Sequence, residues 1–195
     1  MSNKNIIIEE ISKEIRKCKK CRLHLSRKNP VPGEGNINSF ILIIGEAPGY
    51  FEDIQGKPFV GQAGKILDEL LSIANLNRQK VFITNVVKCR PPENRVPKDD
   101  EINSCKDYLE KQIEIINPKI ILTLGNVSTQ YIFNKYGLEF RSMSNIHGKI
   151  FDIIEYKIKV IPLYHPAAAL YNPKIEKIMK NDWKKISLIL RKHSI

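Results

Sequence analysis

Short apolar runs bounded by turn-forming residues recur along this chain, separated by stretches of helical spacing. That alternation restricts the fold more than any other feature. SFILIIG (39–45) is too short for a buried helix and reads as a buried strand, as do KVFITNVV (80–87) and KIILTLG (119–125). KIFDIIEYKIKVIPLYHP holds two further strands, the second ending at His165. Between them, AGKILDELLSIANL (63–76), the segment from Lys98 to about Asn117, and 126–136 carry helical periodicity. An amphipathic helix over 5–17 and a terminal helix over 174–192 with a basic face flank the whole. Strand alternating with helix predicts an α/β fold, a three-layer α/β/α sandwich around a central, mainly parallel, four-stranded sheet. No repeat, low-complexity tract or linker divides the chain, so a single domain is expected over 1–195. VPGEGN (31–36) and KCRPPENRVP (88–97) read as loops, the second because its three prolines exclude regular structure.

At 195 residues the chain can bury a genuine core, and 42% hydrophobic with 27% charged residues argues against disorder. The N-terminus has no apolar h-region and no segment approaches the roughly 20 apolar residues of a membrane helix. The expected location is cytoplasmic. Thirty-two basic against 21 acidic residues give a net charge of +11, which points to a polyanion partner or to a lysine-rich solvated surface. Lys57, Lys65, Lys88, Arg90, Arg95 and Lys98 flank the loops between elements, which favours nucleic acid.

The four cysteines are Cys18 and Cys21, in C-K-K-C, and the remote Cys89 and Cys105. Structural disulfides do not suit an intracellular chain. A redox CxxC lacks its usual strand context. A four-thiolate site suits zinc or an iron–sulfur cluster equally, and four unrelated buried thiols are the plain alternative. His24 could replace one thiolate, or be an ordinary surface histidine.

In open α/β sheets ligands sit beyond the carboxyl ends of the strands, and the unusual residues of this chain fall there. Gly45-Glu46-Ala47-Pro48-Gly49 follows the first strand, Asn85 ends the second and His165 ends the last. GxxxxGK[ST] and a GxGxxG helix opening are absent, and proline with acids following would repel a phosphate. No serine elbow is present. What remains is a histidine, an amide, the aromatic Phe59 and the carboxylates Glu46, Glu52 and Asp53. An amide reads the hydrogen-bonding edge of a base and an aromatic stacks on it. Read singly, Phe59 fits the core, Asn85 a strand-end cap and His165 a structural position just as well.

GEAPGYFEDIQGKPFVGQAG, TNVVKCRPPENRVP and YHPAAAL, with the CxxC before them, resemble the family 4 uracil-DNA glycosylases of archaea and bacteria, from about Cys18 to Trp183. The resemblance implies a monofunctional glycosylase that flips uracil out of DNA and hydrolyses its N-glycosidic bond. It implies that Cys18, Cys21, Cys89 and Cys105 hold a structural [4Fe-4S] cluster. Gly45, Glu46 and Ala47 would line the uracil site, Phe59 would stack on the base, and Asn85 would pair with its O4 and N3–H. His165 would donate to O2 as the uracil leaves, with Glu52 the carboxylate near the sugar. Ala167, Ala168, Ala169 and Leu170 would form the element pushed into the duplex, Leu170 as wedge. Ala47 stands where better-known uracil glycosylases carry an aspartate, which leaves the acid's work to Glu52. KCRPPENRVPKDD has no histidine, so turnover is expected rather than covalent trapping. The implied partner is uracil-containing DNA, single- or double-stranded, met by a monomer. The sliding clamp used by some relatives has no clear motif here. A non-catalytic iron–sulfur nucleic-acid-binding module of the same fold is the rival reading, and a zinc-stabilised nucleotide-binding protein is a third.

Overall fold

The computed structural model describes residues 3–192, so 1–2 and 193–195 of the expected 1–195 domain lie outside it. Six strands form one sheet: β1 (Glu34–Gly35), β2 (Ile41–Gly45), β3 (Phe82–Asn85), β4 (Ile120–Leu124), β5 (Phe151–Ile153) and β6 (Ile158–Leu163). Their order is β1-β3-β2-β4-β6-β5. The four inner strands run parallel, as the apolar runs predict, and β1 and β5 add one antiparallel strand at each edge. β1 lies within the stretch read as a loop: two exposed residues with no apolar pattern gain strand character only by pairing with β3.

The helices are α1 (Asn3–Lys17), α2 (Tyr50–Gln55), α3 (Gln62–Ile73), α4 (Asp99–Ile116), α5 (Asn126–Lys135), α6 (Met143–Ile146) and α7 (Pro173–Lys192). Successive side chains of a strand face opposite ways, and β2 divides accordingly. Leu42 and Ile44 join the core against α1, α4 and α5, whereas Ile41 and Ile43 join the core against α3 and α7. The latter is centred on Trp183, fully buried. Three layers result, as expected.

β3 and β6 are shorter than their apolar runs. Val86 and Val87 leave the strand and donate their amides to the carbonyls of Gly45 and Glu46, which ties the two strand ends together. Register then does the positioning: Gly45 pairs with Asn85 and Leu124 with Leu163, so Asn85 and His165 emerge on one edge beside the glycine-rich turn.

Candidate functional site

At that edge a cavity of about 420 Å³ is lined by residues from all three strand ends, among them Glu46, Glu52, Phe59, Asn85 and His165. Gly45 makes the closeness possible. A Cβ there would lie 2.3 Å from Asn85 Oδ1 and 2.7 Å from Phe59 Cζ, so any other residue would push amide and ring apart.

Phe59 is buried and holds a left-handed backbone, φ 52°, a conformation costing a bulky residue about 1–3 kcal/mol. Three groups keep it there. Arg78 donates to the carbonyls of Pro58 (2.9 Å) and Phe59, and its Nε reaches Asp68 at 2.6 Å. The Glu52 carboxylate accepts the amides of Val60 at 2.8 Å and Gly61 at 2.9 Å, and also that of Gly49 at 3.1 Å. Glu52 therefore fastens both ends of the 49–61 loop while it faces the cavity. The adjacent Asp53 is buried and turned away, accepting the amides of Lys28 (2.9 Å) and Asn29 (3.2 Å). The two acids sit on the short helix α2, not in extended chain, so they diverge by helical rotation.

His165 ends the opposite wall, its ring centroid 5.7 Å from that of Phe59. The amide of Ala167 donates to Nδ1 at 3.2 Å, which leaves the neutral ring's proton on Nε2. Burial lowers the His165 pKa to about 4, against a smaller upward pull from Glu52, so the ring is a neutral donor at pH 7. Burial also raises the pKa of Glu46. Asn85 is buried, and its Oδ1 has no hydrogen-bond partner among the described residues. An unpaired buried acceptor costs about 1–3 kcal/mol and marks a place made for something else.

Three residues beyond Asn85, Lys88 is 1% exposed. Its ammonium donates to Thr84 Oγ1 (2.7 Å), the Asn85 carbonyl (2.7 Å) and Gln112 Oε1 (2.8 Å). Burial lowers its pKa to about 8. The chain reading grouped Lys88 with surface cations near the loops; it is instead an internal strut. Arg95, from the same group, makes a bidentate pair with Glu101, at 2.6 and 2.8 Å, and so fixes the proline-rich loop to the start of α4. Neither role leaves a mark in composition or spacing.

Behind Lys88, Cys18, Cys21, Cys89 and Cys105 line one small cavity, where α1 runs out against α4. None is in a disulfide. Arg27 donates to Cys89 Sγ at 2.7 Å and the Lys88 amide to Cys105 Sγ at 3.3 Å. Burial pushes the Cys89 thiol up to about 12 in spite of Arg27, and raises Cys21 and Cys105 as well. Among the described residues no three His, Cys, Asp or Glu side chains gather closely enough to ligate a single ion. His24 turns its Nδ1 to the Cys21 carbonyl, 2.7 Å away.

The profile of the uracil DNA glycosylase superfamily matches residues 32–188, which include Glu46, Glu52, Phe59, Asn85 and His165 but not Cys18 and Cys21. The chain belongs to the type-4 uracil-DNA glycosylases. It is 54% identical over 182 residues to the type-4 uracil-DNA glycosylase of Saccharolobus solfataricus, covering 92% of this chain and 84% of that one. Identity is 54% over 182 residues with the enzyme of the same name from Sulfurisphaera tokodaii, across 92% and 83% of the two chains. With that of Archaeoglobus fulgidus it is 48% over 181 residues, across 92% and 91%.

In this type-4 glycosylase chain, the residues singled out from sequence largely converge. Glu46, Ala47, Glu52, Phe59, Asn85, His165 and Ala167 line the one cavity, and Gly45 closes its floor. Ala168 and Ala169 pack on the core below, in a 3₁₀ turn over Pro166–Leu170, and Leu170 ends the turn 41% exposed. The sequence marked Lys88 only as a cation flanking a loop and gave no sign of Arg78. A lone basic residue carries no sign that a carbonyl waits for it.

Proposed function

We propose that this chain removes uracil from DNA by hydrolysing the N-glycosidic bond, releasing the free base and leaving an abasic site for base excision repair. The observation that carries this reading is the buried Asn85 amide, its oxygen without a partner among the described residues, beside Phe59 in the wall of the cavity. Uracil offers an N3–H donor to that oxygen and an O4 acceptor to the amide nitrogen. Cytosine reverses both, and a site built to hydrogen-bond one pattern rejects the other strongly.

Bond cleavage puts negative charge on the base and positive charge on the sugar. His165, neutral and with its proton on Nε2, donates to uracil O2 as that charge grows; it holds the proton rather than giving it up. Glu52, fixed by three backbone amides, is the carboxylate on the sugar side and orients the attacking water. Preorganised groups of this kind need no rearrangement at the moment of reaction. Gly45, Glu46 and Ala47 form the floor, and Phe59 stacks on the base. Ala167, Ala168, Ala169 and Leu170 enter the duplex, Leu170 filling the gap left by the flipped nucleotide.

Cys18, Cys21, Cys89 and Cys105 are read as holders of a [4Fe-4S] cluster. The donor set supports it: four thiols line one cavity, with N–H groups directed at three of the sulfurs, Cys18, Cys89 and Cys105. Bound there, the cluster would cross-link the turn after α1, the 88–90 segment and α4, as a structural rather than a catalytic group. We read the whole chain as one monomeric domain acting in the cytoplasm on single- or double-stranded uracil-DNA. Among the described residues no helix is long and apolar enough to cross a membrane.

The test is uracil release from uracil-containing oligonucleotides, read as alkali-labile cleavage, for wild type beside Asn85→Ala and His165→Ala. Cleavage at uracil only, lost in both variants, supports the reading. An intact wild type that binds DNA and releases no base overturns it and leaves a binding module.

A further inference from the structure

The rim of the cavity carries two aromatic side chains that the excision chemistry leaves without a task. Tyr50 and Phe51 open α2, border the cavity, and are 50% and 52% exposed. Their rings meet edge to face, with centroids 5.4 Å apart and planes at 82°. Fully burying a side chain of this size is worth about 1.5–3 kcal/mol, of which each, half exposed, recovers only part within the chain. Beside them stands a positioned cation. The Arg90 guanidinium lies 5.2 Å from the centroid of the Tyr50 ring, and its Nε is held by Asn94 Oδ1 at 2.7 Å. Asn94 itself borders the cavity from the proline-rich loop. The group therefore spans the mouth: two half-exposed rings with a fixed guanidinium against one of them.

An unpaired base with its adjoining phosphate matches this surface in both parts. Bases stack on aromatic faces whatever their identity, and the cation meets the backbone charge. A purely apolar protein segment would leave Arg90 without use, and a phosphate alone would leave the rings. In a duplex the neighbours of a flipped nucleotide stay stacked in the helix. In a single strand they are free to stack on protein.

We propose that Tyr50, Phe51 and Arg90 form a stacking platform for an unpaired base next to the nucleotide held in the cavity, and so select single-stranded DNA as a substrate. The proposal rests on the uracil-excision reading for which nucleotide enters the cavity, while the platform's own ligand, an unpaired base, is argued from the rim.

The experiment uses the full-length protein and single-stranded oligonucleotides carrying one uracil with 2-aminopurine directly 5′ or 3′ of it. Wild type should quench 2-aminopurine in one of the two on binding. Tyr50→Ala/Phe51→Ala should abolish the quench, weaken single-strand binding and slow release from single strands about tenfold. Release from a U·G duplex should be unchanged, which also reports an intact fold. Tyr50→Trp should restore the quench, and Arg90→Ala should lower the salt dependence of single-strand binding by about one phosphate contact. A double variant that quenches and cleaves single strands like wild type overturns the platform, as does one that loses single-strand and duplex release equally. Quenching by a wild type that releases no uracil would sink the excision reading and keep the platform. Release without quenching, unaltered by the substitutions, would do the reverse.

Discussion

Asn85 and Lys88 lie three residues apart, both buried, and the fold treats their polar ends in opposite ways. All three protons of the Lys88 ammonium have acceptors within the protein, at 2.7 to 2.8 Å. The oxygen of Asn85 has none among the described residues. An unsatisfied buried group is a standing cost, and a satisfied one is part of the frame. The contrast extends outward. Around Lys88 the chain closes on itself through Gln112, Thr84 and the cysteine corner, while around Asn85 it leaves a cavity whose walls are clamped from behind by Arg78 and Glu52.

Cys89→Ala strikes the closed side hardest. If the four cysteines carry a cluster, the variant loses its brown colour, and with it several kcal/mol of stability, because a group bound only by the folded state lends its binding energy to folding. Visible absorbance together with a thermal melt decides it; a colourless wild type would remove the cluster from this account.

Asn85→Ala strikes the open side. Uracil release should fall by about 10²–10³-fold, the usual loss for one preorganised transition-state contact, while the melting temperature holds or rises because an unpaired acceptor has gone. Were melting temperature to fall along with activity, Asn85 would be a structural cap and the contrast would be false.

Lys88→Met should do the opposite. Three acceptors lose their donor, so stability falls by about 1–3 kcal/mol in a denaturant titration. Release per folded molecule should drop less than in Asn85→Ala, since the reacting groups remain.

The smallest effect is in pH. The His165 pKa is about 4 in the folded chain and near 6.5 when unfolded, so between these values the unfolded state binds the extra proton. His165 thus contributes a loss of stability as pH falls from about 6.5 towards 4, and none above. His165→Gln should flatten that part of the melting curve against pH. Wild-type release should stay level in its dependence on His165 from pH 8 to 6 and decline only as the ring takes up its proton below that.

The parallel core was legible in the sequence because FILII, VFIT, IILTL and the run before His165 are apolar on both faces and cut off by glycine, proline or asparagine. Local chemistry is enough to mark them as buried strands, and the rule that ligands sit at the carboxyl ends of such strands gathers Glu46, Asn85 and His165 from the sequence alone. The CxxC marked Cys18 and Cys21 as a pair, and packing brings Cys89 and Cys105 to the same small cavity. Tertiary structure alone decided the remainder. β1 exists only because β3 lies beside it, and α2 hides in a glycine- and proline-rich stretch whose register decides that Glu52 faces inward while Asp53 binds the amides of Lys28 and Asn29. Lys88 looked like a surface cation and became an internal strut, and Arg78 came from 19 residues away in sequence to hold Phe59 in its strained turn. Periodicity and motif spacing record which side chains want to be buried and which chemistry is at hand. Which donor meets which acceptor depends on groups brought together by packing, and that is written only in three dimensions.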